Sequence, residues 1–248
     1  MRVEKYSANG NDFIIFHSSV KEDRSALAKE ICHRQNGVGA DGLIVLLSHD
    51  EYDFEWQFYN SDGSEADMCG NGSRAAAHYA FKNSLAPKDM KFLTGAGVIG
   101  AHVEGAMVLS ELTPPKIIET DIEYNSKSWW LIDTGVPHLV NLTDNIEEFD
   151  ISEARELRYK YNANVNIAFV DGDNLRVRTY ERGVEDETLA CGTGIAACFY
   201  RALSEKRISD SVEVYPKSGD TLYLGVNSRT ITFKGEVKNT FIAEYNPE

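Results

Sequence analysis

The sequence predicts an α+β fold built from two similar halves, each with short strands gathered around one central helix. Three observations carry that expectation. A Cys-Gly-x-Gly element occurs twice, an alternating strand-like segment precedes each copy, and an apolar helical segment followed by further alternating segments comes after each. Cys69-Gly70-Asn71-Gly72-Ser73-Arg74-Ala75-Ala76 aligns with Cys191-Gly192-Thr193-Gly194-Ile195-Ala196-Ala197-Cys198 at an offset of 122 in a chain of 248 residues. The same offset pairs Glu65 with Glu187 and Gly97 with Gly219, and an offset of 125 pairs Gly10 with Gly135. Matches in one order at nearly one offset point to duplication.

Taken in order, residues 52 to 58 alternate Tyr52, Phe54, Trp56 and Phe58 with Asp53, Glu55 and Gln57, the period of a half-buried strand. A polar loop, Asn60 to Glu65, follows, and then an Ala-rich segment with few charges that predicts a helix buried on most sides. In the second half, Leu175 to Tyr180 gives the strand, an acidic loop follows, and Ile195 to Leu203 gives the helix. Residues 91–112 and 212–244 read as short strands with Gly and Asn turns. Two more amphipathic helices are expected, at about 24–34 and at about 151–160, the latter starting from Ser152 with Glu153 and Glu156 in its first turn.

With 25 Lys+Arg against 39 Asp+Glu the formal net charge is −14, and no basic run is present, so nucleic acid and anionic membrane surfaces are poor partners. The longest apolar runs, Phe13 to Phe16 and Leu43 to Leu47, are far short of a membrane helix. The N-terminus lacks the pattern of a signal peptide, so a cytoplasmic protein is expected. The four cysteines, Cys32, Cys69, Cys191 and Cys198, make neither a disulfide framework nor a C-x-x-C site, and no metal is expected.

A Cys just ahead of a helix N-terminus meets free N–H groups and the positive end of the helix dipole, which lower a thiol pKa and also favour a bound carboxylate. The glycines let a substrate approach the backbone. Two such elbows in duplicated halves would suit a stereoinversion, one thiolate removing an α-proton and the opposite thiol protonating the other face. The plainer readings are two core cysteines at tight turns, or a disulfide between them. Cys32 and Cys198 read as packing residues.

At these residues the chain resembles the diaminopimelate epimerase family. The resemblance covers nearly the whole chain and rests on Asn9-Gly10-Asn11-Asp12-Phe13, Asn60-Ser61-Asp62-Gly63-Ser64, Met68-Cys69-Gly70-Asn71-Gly72-Ser73-Arg74, Gly135-Val136-Pro137-His138, Glu181-Arg182-Gly183 and Ala190-Cys191-Gly192-Thr193-Gly194. It implies two pseudo-symmetric domains, each a curved antiparallel sheet or barrel around a central helix, with the site in the cleft between them. The expected division is an N-terminal domain over 1–114, completed by a C-terminal strand at 237–248, and a C-terminal domain over 115–236. The implied reaction interconverts LL- and meso-2,6-diaminopimelate without pyridoxal phosphate, metal or other cofactor, in lysine and peptidoglycan precursor synthesis.

The resemblance makes Cys69 and Cys191 the two acid/base residues, the first conventionally the proton donor and the second the acceptor, with roles exchanged in the reverse direction. Gly70-Asn71 and Gly192-Thr193 would hold the reacting α-carboxylate between two helix N-termini. Asn11, Asn60, Asn166 and Arg182 would grip the distal amino acid end, and Glu181 would pair with an ammonium. Asn166 is chosen over Asn162 and Asn164 for its spacing to Phe169. Two positions depart from the common pattern: Val136 stands where many members have Asn, and Gly42 where some have Gln. The alternatives are a related cofactor-independent racemase with another substrate, and a non-catalytic amino acid-binding or thiol redox protein. The expected partners are the small-molecule substrate and a second copy of the chain in a homodimer.

Overall fold

A computed structural model describes residues 1–227 and 230–246. Residues 228–229 and 247–248, which fall in the expected segments 115–236 and 237–248, lie outside the described residues. The chain divides into two compact units, Met1–Glu111 together with Gly235–Glu248, and Leu112–Lys234.

The first unit runs β1 (Arg2–Ala8), β2 (Asn11–Ser18), α1 (Ser25–Cys32), β3 (Gly42–Leu47), β4 (Phe54–Asn60), α2 (Gly70–Lys82), β5 (Asp89–Thr94), β6 (Gly97–Glu104) and β7 (Met107–Glu111). The Asn9-Gly10 turn, with both residues at positive φ (53° and 86°), closes a two-residue hairpin between β1 and β2. β2 and β3 are parallel because α1 crosses between them, and β4 and β5 are parallel because α2 does; the remaining neighbours are antiparallel. The two long apolar runs are accounted for here. β2 and β3 bury both faces, Phe13, Ile15, Ile44 and Leu46 toward α2 and Ile14, Phe16, Leu43, Val45 and Leu47 toward α1. Within α2 every residue from Gly70 to Ala77 is buried, and Ala75, Ala76, Ala77 and Ala80 let the strands approach its backbone closely.

The second unit runs β8 (Lys116–Tyr124), β9 (Lys127–Asp133), β10 (Pro137–Thr143), a 3-10 turn (Ile146–Glu148), α3 (Ile151–Tyr161), β11 (Asn164–Asp171), β12 (Asn174–Glu181), β13 (Asp186–Thr188), α4 (Gly192–Ser204), β14 (Ser211–Pro216), β15 (Leu222–Asn227) and β16 (Thr230–Glu236), the last two residues of which belong to the first unit. Its pairing repeats that of the first: β9–β10 antiparallel, β10–β11 parallel across α3, β11–β12 antiparallel, β12–β14 parallel across α4, then β14–β15 and β15–β16 antiparallel. The residue pairs found by offset occupy matching places. Gly10 and Gly135 (φ 106°) sit in turns that open β2 and β10, and Glu65 bridges Tyr59 as Glu187 pairs with Tyr180.

One strand breaks the chain order. β17 (Lys238–Glu244) pairs antiparallel with β1, the place that β8 takes against β9 in the second unit. Buried Glu4 fastens it, its Oε2 accepting from Asn239 Nδ2 at 2.9 Å and from Lys82 Nζ of α2 at 3.0 Å.

Two sequence expectations shift. The first-half strand is displaced to Phe54–Asn60, and α3 is capped by Asp150 instead of starting from Ser152: the Asp150 carboxylate accepts from the backbone N–H groups of Ser152 (2.7 Å) and Glu153 (3.2 Å). No helix among the described residues is long and apolar enough to cross a membrane.

Candidate active site

In the first unit, Cys69 is the N-cap of α2, in extended backbone, and its Sγ accepts from the Gly72 N–H at 3.4 Å. Beside it lies a run of side chains from the β1–β2 hairpin and the segment before β3. Asn11 Oδ1 lies 3.9 Å from Cys69 Sγ and accepts from Asn71 Nδ2 at 3.3 Å, while Asn11 Nδ2 donates to Asp41 Oδ2 at 2.7 Å. Behind Asn71, the fully buried Arg74 donates from one nitrogen to Asn71 Oδ1 at 2.8 Å and to Asn9 Oδ1 at 2.5 Å. Burial lowers the Arg74 guanidinium to about 9, the neighbouring Cys69 acting the other way, which leaves it a cation at neutral pH.

Asp12 and Asp41 are tied beside this run by Arg34, and Asp12 also pairs with Lys5 at 2.8 Å. Burial would raise the Asp12 carboxyl, but hydrogen bonds from Arg34 and Lys5 outweigh it and hold the group at about 2. Asn60 ends β4, with its Nδ2 donating to Ser64 Oγ at 3.0 Å in an exposed turn. At Gly42 an added Cβ would meet Phe58 at 2.6 Å and the Tyr59 carbonyl at 2.8 Å, which leaves no room for a longer side chain.

In the second unit, Cys191 is the buried N-cap of α4, and its Sγ is 3.5 Å from Thr193 Oγ1. Thr193 Oγ1 lies 2.9 Å from His138 Nε2, and Asn166 Nδ2 lies 3.1 Å from His138 Nδ1. The Asn166 amide is oriented by its own partners: Nδ2 also donates to the Leu139 carbonyl at 3.0 Å, and Oδ1 accepts from Thr179 Oγ1 at 2.8 Å. Nδ1 of His138 is therefore the acceptor and Nε2 carries the proton. Complete burial lowers His138 to about 3, with the Asn166 hydrogen bond opposing and Arg182 adding to the shift. A neutral imidazole donating to Thr193 frees the Thr193 hydroxyl to donate to the Cys191 sulfur.

The remaining expected residues lie at the end of β12. Arg182 donates from Nη1 to the Asn162 carbonyl at 2.9 Å and from its backbone N–H to Asn164 Oδ1 at 2.8 Å, and Glu181 precedes it. Cys32 and Cys198 are buried, and burial pushes the Cys32 thiol up to about 12 and raises the Cys198 thiol as well.

The structure thus brings Asn11, Gly70 and Asn71 to Cys69, and Gly192 and Thr193 to Cys191, with Asn166 linked to Thr193 through His138. It places Asn60 in a solvent-exposed turn and engages the Asn166 amide with protein groups. Sequence reasoning gave no role to Arg74, Asp41, His138, Thr134 or Thr179. The offset of 125 that pairs Gly10 with Gly135 also pairs Asn9 with Thr134, and each ties its turn to the main helix of its unit: Asn9 accepts from Arg74 of α2, and Thr134 Oγ1 donates to the Thr193 carbonyl of α4 at 2.9 Å.

Two like units, each with strands around one buried helix, make an α+β fold of the kind found in solved racemase- and epimerase-like structures. The chain matches a solved probable proline racemase from Agrobacterium radiobacter with a TM-score of 0.79 at 12% identity, covering 100% of this chain and 93% of the other. The family model for diaminopimelate epimerase matches residues 3–118 and 130–236. A diaminopimelate epimerase from a Nitratiruptor species is 62% identical over 242 residues, covering 97% of each chain, and one from Campylobacter lari is 53% identical over 247 residues, covering 99% of each. The chain belongs to the diaminopimelate epimerase family, and it is an isomerase.

Proposed function

We propose that the protein interconverts LL- and meso-2,6-diaminopimelate by proton transfer between two thiols and the substrate α-carbon. The observation that carries this is the placement of Cys69 and Cys191 as N-caps of equivalent helices in a member of this family. In one direction the Cys191 thiolate takes the α-proton from one face, the electron pair rests on the α-carbon and its carboxylate, and the Cys69 thiol delivers its proton to the other face. The cycle leaves Cys191 as thiol and Cys69 as thiolate; the reverse reaction exchanges the roles. No net oxidation occurs, and donor and acceptor are both side chains of this chain.

The α-carboxylate would sit against the helix N-termini at Gly70-Asn71 and Gly192-Thr193, where backbone N–H groups and the helix dipoles stabilise the developing charge. Asn11, Asn60, Asn166 and Arg182 would hold the distal end, with Glu181 pairing with an ammonium. Since Asn166 spends both amide hydrogens inside the protein, its remaining contribution is one acceptor position on Oδ1. We read the two compact units as the two epimerase domains, and the protein as a cytoplasmic homodimer in lysine and peptidoglycan precursor synthesis.

Incubation with LL-diaminopimelate in deuterium oxide, followed by NMR, tests the reading. Wild type should exchange the α-proton and yield the meso isomer, while Cys69→Ala and Cys191→Ala should each abolish inversion. Inversion by either variant would remove the two-thiol mechanism, and exchange confined to another amino acid would transfer the activity to a different substrate.

A further inference from the structure

The polar run beside Cys69 has a fixed direction. Arg74 can only donate, so Asn71 must turn Oδ1 toward it and Nδ2 away, onto Asn11 Oδ1. Asp41, as a carboxylate, can only accept, so Asn11 must turn Nδ2 toward it and Oδ1 toward Asn71 and Cys69. The two ends agree, and neither amide can flip without setting like against like. The same guanidinium nitrogen holds Asn9 in the β1–β2 turn, which anchors the hairpin bearing Asn11 to the helix bearing Asn71. A different tie from the equivalent turn occurs in the second unit, Thr134 to the Thr193 carbonyl, so both halves link this turn to their main helix.

We infer that Arg74 and Asp41 are positioning residues for the reaction: a buried donor-only end and a part-exposed acceptor-only end that set the Asn71 and Asn11 amides in one orientation beside the Cys69 thiol. The consequence is that Asn71 keeps an N–H group for the reacting carboxylate and Asn11 keeps a carbonyl oxygen at the thiol. This rests on the proposed roles of Cys69, Asn11 and Asn71. Its two ends should fail differently. Loss at Arg74 disturbs Asn71, whose contact strengthens as charge develops, and so lowers kcat. Loss at Asp41 frees Asn11 and raises KM.

The experiment compares Arg74→Met, Arg74→Lys and Asp41→Ala by steady-state kinetics, with calorimetric binding of a pre-equilibrated mixture of LL- and meso-diaminopimelate to the folded variants. Arg74→Met should lower kcat/KM about 100-fold, mainly through kcat, as misplacement near 1 Å does. Arg74→Lys keeps a donor-only cation and should recover about 10-fold of that, a rescue that packing alone would not give. Asp41→Ala, on a partly exposed side chain, removes the acceptor for Asn11 and should raise KM and the calorimetric Kd about 10-fold, with kcat nearly unchanged, whereas Asp41→Asn, which can keep an oxygen toward Asn11, should stay closer to wild type. A Lys variant as poor as the Met variant, or an Asp41→Ala variant with wild-type KM and Kd, would overturn the inference. Binding of the equilibrated isomers is read without net turnover, so a weakened Kd in Asp41→Ala beside active Cys69→Ala would count against the two-thiol reading while leaving the amide chain standing.

Discussion

Asn166 gives one amide hydrogen to Nδ1 of His138 at 3.1 Å and the other to the Leu139 carbonyl, so an imidazole fully enclosed in the second unit is held as a single neutral tautomer. The arrangement links a stability property to a chemical one. The proton on Nε2 that it fixes is the one offered to Thr193, next to Cys191.

Acid should therefore destabilise the protein earlier than its carboxylates alone require. In the folded state His138 stays neutral down to about 3, whereas in the unfolded chain it titrates at its ordinary 6.5. Between those values the unfolded state binds more protons, so this group's contribution is complete above about 6.5 and falls by at most about 1.4 kcal/mol per pH unit below it. Urea midpoints at pH 7.5, 6 and 5 should fall in wild type and fall less steeply in His138→Gln; equal slopes would refute the assignment.

Thr193→Val removes the hydroxyl between sulfur and imidazole while keeping the side-chain shape. The buried Nε2–H then loses its acceptor, at a cost of about 1–3 kcal/mol. The same change takes a donor from the Cys191 sulfur and should lower kcat about 10-fold or more, by analogy with the removal of a preorganised donor. Thr193→Ser retains the hydroxyl and should stay close to wild type in kcat and in urea midpoint.

The two elbows have unequal room, which a pair of alanine substitutions should expose. At Gly194 an added Cβ collides with Asn166 Oδ1 and comes within 3.2 Å of Thr179 Oγ1, two atoms already bonded to each other. At Gly72 the nearest atoms are Cys69 Cβ and Ile44 Cδ1, both at 3.3 Å. Gly194→Ala should cost about 1–3 kcal/mol and most of the activity, as overpacking does, and Gly72→Ala less. Equal losses in chemical denaturation would contradict this ordering.

Asn239→Leu tests the fastening of β17. It removes a donor from buried Glu4 Oε2, which keeps Lys82, and should lower stability by about 1–2 kcal/mol with kcat unaffected. Parallel measurement of the thermal midpoint and turnover distinguishes this from a role in the site.

Much of this was legible in the sequence because duplication left glycines at matched turns and Cys-Gly-x-Gly at matched helix starts. α2 and α4 follow from small apolar residues after each elbow. The start of α3 was less legible: Ser152 is a good cap type, but Asp150 stands two residues earlier and its carboxylate reaches two N–H groups. β11 shows a deeper limit. Its alternation sets Asn164 and Asn166 against Val165 and Ile167, which would ordinarily mark a solvent face, yet both asparagines are buried because that face carries the site hydrogen bonds. Arg74, read only as part of the Cys-Gly-x-Gly motif, received no role for the same reason, since periodicity says nothing about which charged residue is enclosed.

The placement of β17 has a consequence for the order in which the protein takes shape during synthesis. Leu112–Lys234 is continuous in the chain and can form its sheet as soon as it clears the ribosome, although it is made second. The earlier unit must hold β1 with an unfilled edge until Lys238–Glu244 emerges. The half made first is thus the half completed last, and the Cys69 elbow reaches its final surroundings only after the Cys191 elbow can have done so.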